Sequence, residues 1–248
     1  MATLSIIAPA QNEEDNITGL IEDIDRVFQG RDIAFEVVAV DDGSTDKTLH
    51  HLGELAKRFD WLKVLTMTNR PPVKGDGKGA AYMAGFRHAA GEYVATIDAD
   101  RQNDPGDLPA LLEALKSHGA DMVQGDRSGH RKDNFIRKIS SKVGKAFRKM
   151  IIQDVVADTS CGIRIIRRDV ALQLPLQYKG MHRFIGYYVN LMGYKVVELP
   201  VKHFSRVTGK AKYNIWNRMI PGLIDLFAVR WMTNRIQAIS CMDIRERK

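Results

Sequence analysis

Four short apolar runs open the chain, Leu4 to Ala8, Glu36 to Val40, Lys63 to Met67 and Tyr93 to Ile97, and each precedes a longer stretch of helical period. Strand-length runs alternating with amphipathic helices predict successive βα units and a parallel sheet. The runs lack a polar alternate face, as strands do when helices cover both sides of the sheet. Further strands are expected at Met122 to Gly125, Gly162 to Ile166 and Lys195 to Val201, with helices at Phe135 to Ile152 and around Phe184 to Met192. No linker, low-complexity segment or internal repeat interrupts this pattern. Residues 1–215 are therefore expected to form one α/β domain with a mainly parallel central sheet flanked by helices, and 216–248 an amphipathic C-terminal helix and tail.

That last helix is expected to start near Pro221, since proline suits a first turn. Leu223, Leu226, Phe227 and Trp231 would then share a face, with Asp225 and Arg230 off it. Packing on the domain is the simpler expectation for that face, and a membrane surface or a partner is the alternative. The longest apolar candidate, Met219 to Val229, is broken by Pro221 and Asp225, so no run approaches the roughly 18 to 20 residues that span a bilayer.

Composition narrows the class. With 44% hydrophobic and 27% charged residues in 248, the chain can bury a full core. Cys161 and Cys241 lie far apart without metal-ligand spacing, which argues against a disulfide framework or zinc site and for a reducing cytoplasm. The opening MATLSIIAPAQNEE reads as a first strand rather than a secretory leader. The net charge of +7 is concentrated: nine Lys or Arg residues and one acid, Asp133, fall between Arg127 and Lys149. Such a stretch suits a phosphorylated substrate or an anionic membrane. Only Phe135 and Phe147 interleave with it, so nucleic acid is not expected. For Lys142, Lys145, Arg148 and Lys149 a solvated helix face and contact with lipid headgroups both remain open.

The unusual residues follow the strands: Pro9 to Glu14 after the first, Asp41 to Asp46 after the second, Asp98 to Asp104 after the fourth. Ligands of open α/β sheets gather at the carboxyl ends of strands, so these acidic clusters are expected on one edge. In Asp98-Ala99-Asp100-Arg101-Gln102, alternate side chains share a direction, and Asp98, Asp100 and Gln102 would present oxygens to one cation. Oxygen ligands suit Mg²⁺ or Mn²⁺ rather than zinc, with positions left for substrate phosphates. In Asp41-Asp42-Gly43-Ser44-Thr45-Asp46, the last three are expected to cap the next helix, whereas Asp42 at the strand tip would accept hydrogen bonds from a nucleotide. Gly75, Gly77 and Gly79 with Lys74 and Lys78 lack the Walker ending and read as a turn before a helix, with Lys78 a candidate sugar contact. His182-Arg183-Phe184 opens a helix near lipid or sugar, or merely caps it.

The ordered segments PAQNEE, DDGSTD, GDGKGAA with a following Gly85, and DADRQNDP resemble the successive motifs of inverting GT-A glycosyltransferases. Gly125-Asp126-Arg127, Arg137 to Lys142 and the stretch from Val201 through Arg206, Gly209, Lys212 and Tyr213 are similar to the dolichol-phosphate mannosyltransferase branch, which transfers to polyprenyl phosphates. The resemblance implies the GT-A (nucleotide-diphospho-sugar transferase) fold and a nucleotide-sugar donor held by Pro9, Gln11, Glu13, Val40, Asp42, Asp98, Ala99 and Asp100. It implies closure of Arg206 and Lys212 over the diphosphate, metal ligation by Asp98, Asp100 and Gln102, and an acceptor phosphate held by Arg127, Arg137 and Ser141. Gln11 stands where that branch often has an aromatic residue. Many relatives also carry transmembrane helices, so a membrane-embedded partner is a further expectation, with the enzyme peripheral at the cytoplasmic face.

The chemistry suits such an acceptor. A phosphate monoester is largely ionised at neutral pH and needs no general base. What it needs is charge cancellation as it approaches a sugar diphosphate, and that is a job for arginine. A hydroxyl acceptor, the alternative, would require a base, for which Asp126 and Asp158 are the spare acids. A nucleotide-sugar-binding module without catalysis is the remaining alternative. The base and the sugar stay open between GDP-mannose and UDP-hexoses.

Overall fold

The computed structural model describes residues 3–68, 77–128, 135–154, 156–204 and 215–236, with the backbone alone over 135–143 and 215–220. The chain falls into two compact units, 1–135 with 155–211, and 136–154 with 212–248. In chain order the elements are β1 (Leu4–Ala10), α1 (Ile17–Phe28), β2 (Phe35–Asp41), α2 (Thr48–Arg58), β3 (Leu62–Thr66), α3 (Lys78–His88), β4 (Tyr93–Thr96), α4 (Leu108–Ser117) and β5 (Met122–Asp126). They continue with α5 (Phe135–Ile152), β6 (Arg164–Arg167), α6 (Arg168–Ala171), α7 (Ile185–Leu191), β7 (Val196–Pro200) and α8 (Ile215–Thr233).

The first unit holds a seven-stranded sheet in the order β3-β2-β1-β4-β6-β5-β7. β1 pairs in parallel with β2 and β4, β2 with β3, and β5 with β7, while β6 is antiparallel to both β4 and β5. The apolar runs are buried because both faces are covered. Leu4, Ile6 and Ala8 join the α1, α2 and α4 side chains in one core, and alternate residues such as Ile7, Val38 and Val94 are buried outside that cluster. α3 rides directly on β1, where Gly85 leaves room for Ile7 that a Cβ would fill. The mainly parallel α/β architecture is the one expected. The direction of β6 is not readable from a four-residue strand with two apolar residues, Ile165 and Ile166.

In the second unit, α8 begins at Ile215, before the expected start at Pro221, which lies inside the helix. The proline ring takes the i−4 hydrogen bond from the Asn217 carbonyl, yet its fixed φ is helical, so the turn is weakened and the helix continues. The simpler expectation for the apolar face, packing, holds for Leu226 alone. Leu226 and Val229, three residues apart, are buried, whereas Leu223 is exposed and Ile224, Phe227 and Trp231 are 63%, 61% and 59% exposed. Among the described residues no helix is long and apolar enough to cross a membrane.

Candidate active site

β1, β2, β4 and β5 run in one direction, so their carboxyl ends share an edge of the sheet. β6 runs against them and starts at that edge, with Arg164 opposite Thr96 at the tip of β4. Topology alone therefore gathers the loop after β1, the Asp41–Asp42 tip, the Asp98–Gln102 segment, Arg127 and the approach to β6.

The first two loops are stitched together. Asn12, with φ of 54°, donates its N–H to Ser44 Oγ at 3.0 Å, and its Oδ1 accepts Thr45 N–H at 2.8 Å. Ser44 and Thr45 thus tie loop to loop rather than cap α2. That task falls to Asp46, whose Oδ1 accepts the Thr48 N–H at 3.0 Å and hydroxyl at 2.6 Å. Asp41 turns back to accept the N–H groups of Gly43 and Ser44, each at 3.2 Å, and so shapes the turn. Asp42 is buried and its Oδ2 accepts the Gly77 N–H at 3.1 Å, which fixes the start of α3. Val40 is buried opposite Pro9, Gln11 donates from Nε2 to the Asp42 carbonyl at 3.1 Å, and Glu13 accepts from Asn16 Nδ2 at 2.8 Å. β1–β2 pairing thus brings five of the expected donor-site residues into one wall.

After β4 the chain leaves the extended form and turns over 99–101. Arg101, at φ 55°, turns away to pair with Asp23 at 2.6 Å. Arg101 and Asn103 line a cavity of about 620 Å³ with Asp23, Arg26 and Phe204, a lining that includes none of Asp98, Asp100 and Gln102. Asp100 Oδ1 accepts the Gln102 N–H at 3.2 Å, a local turn that keeps the two residues together. Ala99 is buried.

Asp98 has partners that the sequence pattern did not connect to it. Its Oδ1 meets the Lys78 ammonium at 2.6 Å and accepts the Tyr82 hydroxyl at 3.2 Å. Lys78 opens α3 and Tyr82 lies one turn on, so both belong to one helix face. Gly162, just before β6, backs onto the carboxylate where a Cβ would collide. Burial by itself would raise the Asp98 carboxyl; Lys78, Arg164 and the Tyr82 hydrogen bond outweigh it and hold it below its usual value. Burial pushes the Tyr82 hydroxyl up to about 12. Arg164 is buried at the start of β6 and donates to the carbonyls of Cys161 and His182. Burial, with Lys78, Arg183 and Arg164 adding their charge, pushes the His182 imidazole down to about 3, so it is neutral at physiological pH.

The His182 environment has a measurable consequence. Below its ordinary value of 6.5 the unfolded chain takes up a proton at this ring, and the folded chain does not until about 3. The unfolded state then binds more protons, so stability is full above pH 6.5 and falls as pH drops through that window. Melting temperatures measured from pH 7.5 to 5 should decline less steeply in His182→Gln than in the wild type. Equal slopes would show that the ring titrates alike in both states.

Arg127 is buried, and its Nε and Nη2 grip Asp158 Oδ2 and Oδ1 at 2.8 and 3.1 Å, with Nη2 also donating to Ser160 Oγ at 2.8 Å. Asp126, the other spare acid, accepts the Ser128 N–H and hydroxyl, both at 2.8 Å. Arg127 therefore stands at the expected edge with a carboxylate already across two of its nitrogens. Arg137 and Ser141 fall on α5, described by backbone alone, and Arg206 and Lys212 lie outside the described residues. Asp98, Asp100 and Gln102 offer oxygen donors alone, the set that suits Mg²⁺ or Mn²⁺. The Lys78 ammonium is a cation already seated on that set. Among the described residues no group of three or more His, Cys, Asp or Glu side chains is placed to hold a metal.

The profile of glycosyl transferase family 2 matches residues 5–174. The chain is 32% identical over 223 residues to undecaprenyl-phosphate 4-deoxy-4-formamido-L-arabinose transferase of Edwardsiella ictaluri, covering 90% of this chain and 66% of that protein. It is 31% identical over 228 residues to dodecaprenyl-phosphate galacturonate synthase of Rhizobium johnstonii, covering 91% and 66%. The chain thus spans 66% of the length of either relative. Glucosyl-3-phosphoglycerate synthase of Mycobacterium tuberculosis shares the fold at TM-score 0.68 and 18% identity, covering 96% of this chain and 81% of that one. So does a mannosyltransferase of Pyrobaculum calidifontis, solved with GDP-Man and Mn²⁺, at 0.66 and 21%, covering 96% and 66%. These likenesses make the architecture the GT-A fold. The strand-tip carboxylates lie within the matched span, which ends inside the described fold at Leu174, and the chain belongs to glycosyl transferase family 2.

Proposed function

We propose that this protein transfers a sugar, with inversion, from a nucleoside-diphosphate sugar to a polyprenyl phosphate. The observation that carries the reading is the match, along 90% of the chain, to a relative named for that acceptor class. The Asp98–Gln102 segment stands at the carboxyl edge where the fold would receive the donor. Pro9, Gln11, Glu13, Val40 and Asp42 line the nucleotide; Asp98, Ala99 and Asp100 lie under the diphosphate; Arg206 and Lys212 close over it. A Mg²⁺ or Mn²⁺ held by Asp98, Asp100 and Gln102 would act there as Lewis acid for the departing diphosphate. Arg127, Arg137 and Ser141 hold the acceptor phosphate, whose own charge makes it the nucleophile. Both spare acids favour this acceptor over a hydroxyl, since Asp158 is engaged by Arg127 and Asp126 by Ser128.

The test is incubation of the full chain with Mn²⁺ or Mg²⁺, GDP- and UDP-sugars, and undecaprenyl phosphate, with lipid-linked sugar measured by mass spectrometry. A product names donor and acceptor together. Transfer to glycans alone would establish the hydroxyl-acceptor reading, and nucleotide binding without turnover would favour either the non-catalytic module or the need for an integral-membrane partner.

A lipid acceptor requires access to a bilayer, and we assign that contact to the cytoplasmic leaflet through the second unit. Its exposed residues combine Ile224, Phe227 and Trp231 on α8 with Phe147, Met150, Lys145 and Lys149 on α5. Arg235 lies over the Trp231 ring at 4.4 Å, a pairing of cation and aromatic suited to a headgroup layer. Co-sedimentation with vesicles of mixed zwitterionic and anionic phospholipid should weaken about tenfold or more in a Phe227→Ser, Trp231→Ser variant, because each large side chain contributes ~1.5 to 3 kcal/mol on burial. Unchanged sedimentation would remove α8 from the contact.

A further inference from the structure

Among the described residues, Lys78 is the cation in contact with the carboxylate that the proposed reaction needs free. Its ammonium touches Asp98 Oδ1 at 2.6 Å and lies over the Tyr82 ring at 5.7 Å, in a pair whose side chains are 32% and 24% exposed. Arg164 adds a second positive charge bearing on Asp98. Before any ligand arrives, Asp98 is thus faced by two protein cations among the described residues. A divalent ion approaching the same oxygen meets an ammonium in its way and a carboxylate whose charge is already offset.

Resting on the metal-dependent reading of this site, we propose that Lys78 is the resident counter-cation of Asp98, and that it makes metal binding conditional on the nucleotide-sugar. The donor's diphosphate carries two negative charges, which offset the incoming divalent ion and offer the ammonium a new anionic partner. Lys78 then exchanges the Asp98 carboxylate for a diphosphate oxygen. Metal and donor load together, and neither is held firmly alone. The coupling is reciprocal, since each ligand must change the affinity of the other by the same factor. The exchange needs little movement, because a lysine stem is flexible and its ammonium is a point charge without the planar geometry of a guanidinium.

The test is Mn²⁺ binding to the full chain, followed by the loss of the free-ion electron paramagnetic resonance signal, with and without GDP or UDP. In the wild type, Mn²⁺ should bind weakly alone and at least about fivefold more tightly with the nucleotide, in the ordinary range for coupled sites. Lys78→Met, which keeps the stem and removes the charge, should bind Mn²⁺ more tightly than wild type without nucleotide, and the enhancement by nucleotide should shrink. Lys78→Arg should retain the enhancement. If the methionine variant does not fold, Lys78→Gln replaces it, and circular dichroism decides which variant is used. Unchanged or weaker Mn²⁺ binding in the folded neutral variant overturns the role of Lys78 while leaving metal dependence intact. Absence of any Mn²⁺ binding lost in Asp100→Ala would overturn both.

Discussion

Alanine at Asp100 is expected to lower product formation by at least about a thousandfold while leaving the fold intact. The carboxylate is partly exposed on the turn after β4, and its Oδ1 accepts the Gln102 N–H at 3.2 Å. Losing that turn bond costs about 1 kcal/mol of stability, a small fraction of the total. What disappears is a charged oxygen ligand where negative charge builds on the leaving diphosphate. Stabilising the charge that develops in the transition state commonly lowers the barrier more than any other single effect in such a reaction. Turnover by mass spectrometry and melting by circular dichroism, on the same preparation, separate the two effects. Retention of more than a tenth of wild-type activity would remove Asp100 from the reaction.

The second large effect is on stability and falls at Asp158. Removing this carboxylate strands the buried Arg127 guanidinium, which burial penalises and Asp158 compensates. Breaking a buried ion pair from one side costs about 3 to 5 kcal/mol. For a protein of this size each kcal/mol lowers the melting temperature by about 2 to 4 °C, so Asp158→Ala should melt ~6 to 20 °C lower. Replacing both partners together, Arg127→Met with Asp158→Leu, should recover much of that loss, because apolar groups of similar volume carry no desolvation penalty. Calorimetry on the single and double variants decides it; a double variant no better than the single would sink the ion-pair account. An Arg127 variant alone mixes this folding defect with any weakening of acceptor binding. Its effect on KM has interpretive weight only beside a melting curve.

The two halves of the candidate site were unequally legible. Asp98, Asp100, Asp42 and the Pro9–Glu14 loop could be placed together because each follows an apolar strand, and parallel strands put all their carboxyl ends on one edge. The roles inside that edge were less accessible. Ser44 and Thr45 have the residue types of helix caps, yet the geometry of Asn12 recruits them to the neighbouring loop. Lys78 sits in a Gly-rich run that reads as a turn, and no spacing rule connects it with an aspartate 20 positions on.

By itself the sequence determined the alternation of strand and helix, the parallel sheet and the acidic edge, because side-chain period and strand direction are local properties that survive without knowing what packs against what. The tertiary structure decided the rest. It turned β6 against its neighbours and so delivered Arg164 to the tip of β4; it seated Lys78 on Asp98 and Arg127 on Asp158. It also rotated α8 so that Leu226 and Val229 are buried and Phe227 and Trp231 face outward. These are pairings between residues far apart along the chain, and their energy depends on desolvation and fit, neither of which leaves a periodic trace in the order of amino acids.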